Sequence, residues 1–347
     1  MMKTQHLLPL LLLSALASCR TEVKYNGEIT QPKFVVFAQT DIRPAGQRNI
    51  CYVQQSTFFL DDEPSGKMLD DATVEWQLND GARSPFVFVA DSGAYLPCSP
   101  LPQAVAGDRI TMHVTHPLYG ATTASQIIPF LPPVQTDSLH AETDTLSEYT
   151  EQVDDSLVHI VGTRQRITLR LIFPPYAYND GDVIGLTARA VYHPAPDSVY
   201  RRKAYLSSSD PLFRLLTTET DLGIIDDIAS LFGDEVRRYN ALYFPVSAVG
   251  KGHTTSVTFF TPQYDMLPDS LLLTVRAMTN DAWLYRVSIE QQSSGSILGL
   301  GQEEKVQVYG NFTGDVIGVF ITSAKQTCGL DLTSTKEGME NEKNSGK

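Results

Sequence analysis

The residues with the most specific chemistry in this 347-residue chain lie near its start: Leu16-Ala17-Ser18-Cys19. A leucine, two small residues and a cysteine have the spacing of a bacterial lipobox. The small residues fit a narrow protease site, and the cysteine thiolate is the nucleophile that takes a diacylglycerol. The surroundings have the layout of a secretory signal peptide. Lys3 and His6 form a polar start, Leu7 to Leu13 is apolar except for Pro9, and Ser14, Ala15, Ala17 and Ser18 are small. The apolar run is shorter than the ~20 residues that a membrane-crossing helix needs. Cys19 is therefore the expected lipidated end of the mature chain. Two or more acyl chains anchor stably, at roughly 0.8 kcal/mol per buried CH₂.

Elsewhere, reactive side chains do not fall into a catalytic spacing. The chain has no Gly-Xaa-Ser-Xaa-Gly elbow, no HExxH and no phosphate-cradling loop. His113 and His116 are three apart on an alternating segment, which sends them to opposite faces of a strand. Asn179-Asp180-Gly181-Asp182 resembles the opening of a calcium loop but lacks the later carboxylate that completes the ligand set. Carboxylates are plentiful, yet sequence spacing cannot show the roughly 5–9 Å separation that glycoside hydrolysis requires. Trp76, Trp283 and the tyrosines are candidate sugar platforms, although the alternation around Trp76 assigns it to a core. The expectation is a protein without catalytic residues, metal or cofactor.

Beyond Cys19 the cysteines are Cys51, Cys98 and Cys328. In an oxidising compartment Cys51 and Cys98 are a candidate disulfide, and Cys328 is left alone. The formal charge is −13, and removal of residues 1–18 takes away only Lys3 among the charged residues, which leaves net −14. That balance argues against nucleic acid as a partner. It also leaves the attachment to an anionic leaflet to the lipid.

The elements read as strands. After a polar tether over 19–33, Phe34-Val35-Val36-Phe37-Ala38, Cys51 to Leu60 and Ala72 to Leu78 are strand-like, and Ala72, Val74, Trp76 and Leu78 share one face. Asn79-Asp80-Gly81 is a turn, followed by strands at 85–89, 109–115 and 121–130. Regular short strands predict an immunoglobulin-like β-sandwich over 34–133. Residues 134–158 hold seven carboxylates and no Lys or Arg, which reads as an acidic linker or a charge-blunted edge segment. A second β-rich domain over 159–332 carries strands at 166–173, 183–192, 257–260, 270–278, 306–309 and 316–320. Helical insertions are expected over 221–239 and 281–292, the latter with Asp281 as N-cap. The tail over 333–347 has a disordered composition. The fold class is thus all-β, with two β-sandwich (immunoglobulin-like) domains, the second with one or two inserted helices.

The closing segments carry a resemblance. Asp281-Ala282-Trp283-Leu284-Tyr285, then Val306-Gln307-Val308-Tyr309-Gly310-Asn311-Phe312-Thr313-Gly314, then Val316-Ile317-Gly318-Val319-Phe320 resembles the end signature of the domain-of-unknown-function 4249 lipoproteins of Bacteroides-type bacteria. Ala72-Thr73-Val74 and Gly93-Ala94-Tyr95 match the family's first half. Two departures are Asp315-Val316-Ile317 within the glycine run, and Phe173-Pro174-Pro175-Tyr176 where an Asp-Pro-Gly type turn is usual. The resemblance supplies no catalytic residues. Asn311 and Gly314 are read as turn formers. The resemblance implies a lipoprotein encoded beside TonB-dependent receptors. The expected function is therefore a non-catalytic, lipid-anchored outer-membrane accessory protein of an uptake system, on the surface or the periplasmic face. It would capture a small ligand, glycan or peptide, or gate the receptor. A fimbrillin-like adhesive sandwich is the alternative, and a surface glycan or peptide hydrolase a third.

Overall fold

The computed structural model describes residues 31–56, 66–153, 156–195, 198–214, 216, 238–261, 268–297 and 308–333, with the backbone alone for 144–163, 214 and 291–297. Cys19, the tether, the helix expected over 221–239, the strand expected over 306–309 and the tail lie wholly or largely outside these residues.

The described chain is all-β, with little helix. The first half gives β1 (Phe34–Arg43), β2 (Gly46–Gln55), β3 (Lys67–Met68), β4 (Thr73–Leu78), β5 (Arg83–Val89), β6 (Ala94–Pro97), β7 (Arg109–His116) and β8 (Gly120–Ile127). The second half gives β9 (Gln135–Val153), β10 (Ser156–Phe173), β11 (Val183–Ala195), β12 (Ser198–Ser207), β13 (Leu242–Pro245), β14 (His253–Phe260), β15 (Ser270–Met278) and β16 (Val316–Asp331). Two α-helices accompany them, α1 (Val246–Val249) and α2 (Asn280–Ile297).

Hydrogen bonding runs along one main path, β8-β7-β4-β5-β6-β2-β1-β16-β15-β11-β12-β14-β10-β9, with β3 pairing β2 and β13 pairing β11 beside it. The path folds around two main cores. The first gathers Phe34, Val36, Trp76, Tyr95, Ile110, Met112 and, from the far end of the chain, Phe312 and Phe320. The second gathers Leu169, Phe173, Leu186, Phe244, Phe259, Leu273 and Val275. Alternation places these residues inside: on β4, Val74 and Trp76 are buried between the half-exposed Glu75 and Gln77. On β15, Leu271, Leu273, Val275 and Ala277 point inward, while Leu272, Thr274 and Arg276 face out. Burying a large apolar side chain is worth about 1.5–3 kcal/mol, so the period-2 pattern alone fixes which face closes.

β16 joins the two cores. Its first half pairs in parallel with β1, from Phe34↔Val316 to Ile42↔Ala324. Its second half pairs antiparallel with β15, from Met278↔Ser323 to Ser270↔Asp331. A segment that reads in sequence as the end of the second domain thus completes the first core as well. β12 also changes partners, pairing with β11 over Tyr200–Ala204 and with β14 over Tyr205–Ser207.

The acidic segment over 134–158 is mostly strand. β9 is the edge of the path and pairs along its length with β10. β14 accompanies β10 only from Arg166 to Phe173. Among the described residues the outer part of the β9–β10 pair therefore continues as a two-stranded ribbon. At ~3.4 Å per residue, its ten residues per strand extend about 30 Å.

Candidate functional site

The residues of the closing signature meet at one place, between α2, β8 and β16. Thr279 caps α2: its Oγ1 accepts the Ala282 N–H at 3.3 Å, and its carbonyl accepts the Trp283 N–H at 3.1 Å. Thr279 thus holds the cap position expected of Asp281, which frees the Asp281 carboxylate. That carboxylate accepts three side-chain donors: the Tyr309 hydroxyl at 2.7 Å, Asn311 Nδ2 at 2.8 Å and Gln126 Nε2 of β8 at 2.5 Å. Burial, then the neighbouring Asp281 carboxylate, pushes the Tyr309 hydroxyl up to about 12, so it remains a donor at physiological pH.

Asn311 extends the network. Its Nδ2 also donates to the Phe320 carbonyl at 2.9 Å, and its Oδ1 accepts the Phe320 N–H at 2.8 Å. The side chain thus mimics a strand partner for β16. Asn311 is not in the left-handed region, where Asn79 is the only non-glycine residue among those described. Its role as a turn former is corrected accordingly, whereas Gly314 does take positive φ, at 87°. Ser288 of α2 accepts the Tyr309 N–H at 3.0 Å. Thr313 bonds β8, its N–H reaching the Thr123 carbonyl at 2.9 Å and its carbonyl accepting the Thr122 hydroxyl at 2.6 Å.

The backbones are equally close. A Cβ built on Gly318 would lie 1.9 Å from the Val36 carbonyl oxygen, and one on Gly310 would lie 2.6 Å from the Gly318 carbonyl oxygen. Glycine is required at both positions because the chains touch there. A carboxylate held by three donors on fixed elements is suited to locking those elements together. It is poorly placed to abstract a proton from a substrate.

A second junction lies further along β1. Asp41, 2% exposed, is bonded by Arg43 Nη2 at 2.8 Å, Lys325 Nζ at 2.9 Å and Ser323 Oγ at 2.9 Å. Burial acts to raise this carboxyl, but the bonds from Lys325, Arg43 and Ser323 outweigh it and hold it below the usual carboxylate range. Near the start of α2, burial pushes the Asp182 carboxyl up to about 6, against bonds from Asn179 and the Asn280 backbone. Asn179 and Asp182 therefore form a closed turn, Asn179 Nδ2 donating to Asp182 Oδ2 at 3.2 Å. Among the described residues no group of three or more His, Cys, Asp or Glu is placed to hold a metal.

The candidate disulfide is corrected. Cys51 and Cys98 are both free. Cys51 lies buried on β2 opposite Tyr95. Cys98 is three residues beyond Tyr95, about 10 Å further along an extended chain, while a disulfide needs Cα atoms within ~7 Å. Burial pushes the Cys51 thiol well up, so it behaves as a small core residue. His113 and His116 do lie on opposite faces of β7. His113 bonds Gln77 at 2.9 Å, and buried His116 bonds Asp71 at 2.9 Å. Sequence reading missed a further pair, His253 Nε2 with Asp210 Oδ2 at 2.8 Å. The nearby Ser208 hydroxyl donates to the Ser256 carbonyl at 2.6 Å rather than to the imidazole, so no nucleophile is activated. An open cavity of about 710 Å³ lies beside β2, with Arg48, Ile50, Tyr52, Leu96 and Pro100 in its wall. Its residues are scattered over β2, β6 and the following loop, and the sequence holds no pattern that announces it.

The family model for the domain of unknown function 4249 matches residues 20–328. The chain belongs to this family. The matched region begins at the residue after Cys19 and includes every member of the Asp281 network, so the lock is built within the family's own region. No curated protein matches the sequence. Among solved structures, the partial N-terminal region of an enterococcal surface protein is similar at 9% identity and TM-score 0.15, over 76% of this chain and 94% of that one. The BSP domain of a biofilm associated protein aligns at 6% identity and TM-score 0.16, over 89% and 62%. The B domain of a biofilm associated protein aligns at 8% identity and TM-score 0.15, over 89% and 88%. Scores this low carry no argument about function.

Proposed function

We propose that this chain is a lipid-anchored, non-catalytic accessory protein of the outer membrane, working with a TonB-dependent receptor to capture a ligand or to gate the receptor. One observation carries the reading: the lipobox Leu16-Ala17-Ser18-Cys19 stands directly before the family region that starts at residue 20. The polar lock supports it, since a carboxylate with three bonded donors serves rigidity rather than turnover. The test is purification of the native lipidated protein from membranes, with mass spectrometry of what accompanies it. A TonB-dependent receptor in the eluate, lost together with membrane attachment in Cys19→Ala, is the expected result. Self-oligomers alone would favour the adhesive reading. A soluble wild-type protein, or one with no receptor in the eluate, would overturn the proposal.

A further inference from the structure

The outer face of the strands around the second core breaks a rule that the other described strand pairs keep. On adjacent strands, like charges placed directly opposite each other are destabilising. Arg189 of β11 is the direct partner of Lys203 of β12, and Arg276 of β15 is the direct partner of Lys325 of β16. Arg189 is also level with Leu272 of β15, and Arg276 lies two outward positions further along the same strand. Arg201 is two residues from Lys203 on β12 and so shares its face. Five cations therefore occupy one sheet face of a chain with 40 acidic residues against 27 basic ones.

Several exposed cations elsewhere are matched. Arg166 is opposite Glu142 and bonded to it, Arg170 pairs with Asp137 at 3.0 Å, and Arg83 pairs with Glu75 at 3.1 Å. On the outer face, Lys325 has Asp41. Arg189, Arg201, Lys203 and Arg276 have no ion-pair partner among the described residues, and the first three are exposed. A local cost without a local compensation marks a surface kept for binding.

We infer that this face binds an acidic polysaccharide, carboxylated or sulfated, as an extended chain. Three features select that occupant. The cations spread over four strands at spacings of ~5–7 Å or more and converge on no cavity, which suits a polymer with repeating charges better than one small anion. Between them lie Thr187, Thr274 and Thr327, the last two joined at 2.9 Å, which offer hydroxyls to a polar chain. The two rows that hold Arg189, Arg201 and Lys203 contain no aromatic residue and only Leu272 and Val191 as large apolar side chains, with Asp331 at the end of one row; Tyr243 stands opposite Gly185 at the Arg276 end of the face. A protein interface would want an aromatic anchor at its centre. The inference names a ligand class for the capture role proposed above but does not need the receptor.

The test uses the mature protein with Cys19 replaced by Ser to keep it in solution, passed over immobilised heparin and polygalacturonate, with neutral dextran as control. Retention is expected on both anionic polymers and not on dextran, and it should fall steeply with salt as the Debye length shrinks from about 10 Å at 0.1 M to about 3 Å at 1 M. The double variant Arg189→Gln/Lys203→Gln should lose at least about tenfold in affinity while remaining folded, because it removes a like-charge pair. Arg109→Glu, an exposed cation on β7, makes the control for charge in general and should bind as wild type. Absence of retention at low salt overturns the inference, as does an equal loss in Arg109→Glu. Binding to vesicles containing anionic lipid without binding to either polymer also overturns it, in favour of a membrane surface. None of these outcomes bears on receptor co-purification.

Discussion

Two regions of this molecule treat polar groups in opposite ways. At the junction of α2, β8 and β16, every donor around Asp281 is satisfied, and the β1 and β16 backbones meet with no room for a Cβ. On the outer face of β11, β12, β15 and β16, cations stand opposite cations in water. The junction is organised for stability, because a buried donor without a partner costs about 1–3 kcal/mol. The outer face gives up a little stability, which exposure and solvent screening keep small. Optimised contacts therefore indicate how the halves are joined, and unoptimised ones indicate where something else arrives.

Four substitutions break or sharpen this contrast. Gly318→Ala should have the largest effect. The new Cβ meets the Val36 carbonyl oxygen, and overpacking against backbone costs on the order of 3 kcal/mol. A urea melt should show both cores unfolding at a lower midpoint, since β16 serves both; loss confined to one would mean that they unfold independently. Asp281→Ala leaves Tyr309, Gln126 and one bond of Asn311 unmatched and should cost about 2–3 kcal/mol by the same melt. Asp281→Asn should recover part of that loss.

Asp182→Asn should act in the other direction. The folded carboxyl is raised to about 6, above the ~3.9 of an unfolded chain. Wild-type stability is therefore fully expressed below about pH 4 and declines as pH rises through about 6. The variant, which keeps an acceptor for Asn179 and the Asn280 backbone, should be more stable at pH 7 by on the order of 2 kcal/mol and equal at pH 4. Equal melting temperatures at both pH values would show that Asp182 ionises normally. Lys203→Glu should give the smallest change, a gain of about 0.5 kcal/mol at low salt that vanishes at high salt. A loss of stability there would mean that Lys203 is a structural residue, and the contrast would fail.

The sequence made much of the fold legible because alternation reports burial directly. The strands around Trp76, Ile167–Phe173 and Leu271–Ala277 follow from it, and so does α2, expected over 281–292 and found over Asn280–Ile297. β12 and β13 were not anticipated. Exposed Arg201, Arg202 and Lys203 hide the period in β12, and β13 is only four residues long. The partners of β16 were also illegible, since an alternating strand states which face is buried but not against which sheet. The Asp281 network was visible as residue types and not as a constellation. Its members, Gln126, Asp281, Tyr309 and Asn311, are separated by up to 185 positions of chain. The cap misled because Asp281 and Thr279 are both good capping residues, and only the geometry shows which of them is occupied by the helix.

The division of β16 between two cores also has a consequence for the order of assembly. β1 is the first strand of the described chain, yet its parallel partner follows it by 282 positions, the span that separates Phe34 from Val316. The first core cannot be completed as β1 to β8 emerge, because Phe312 and Phe320 are still to come. Closing so long a loop is slow and leaves strand edges open in the meantime. A chain built this way gains by assembling once, after its last strand has arrived.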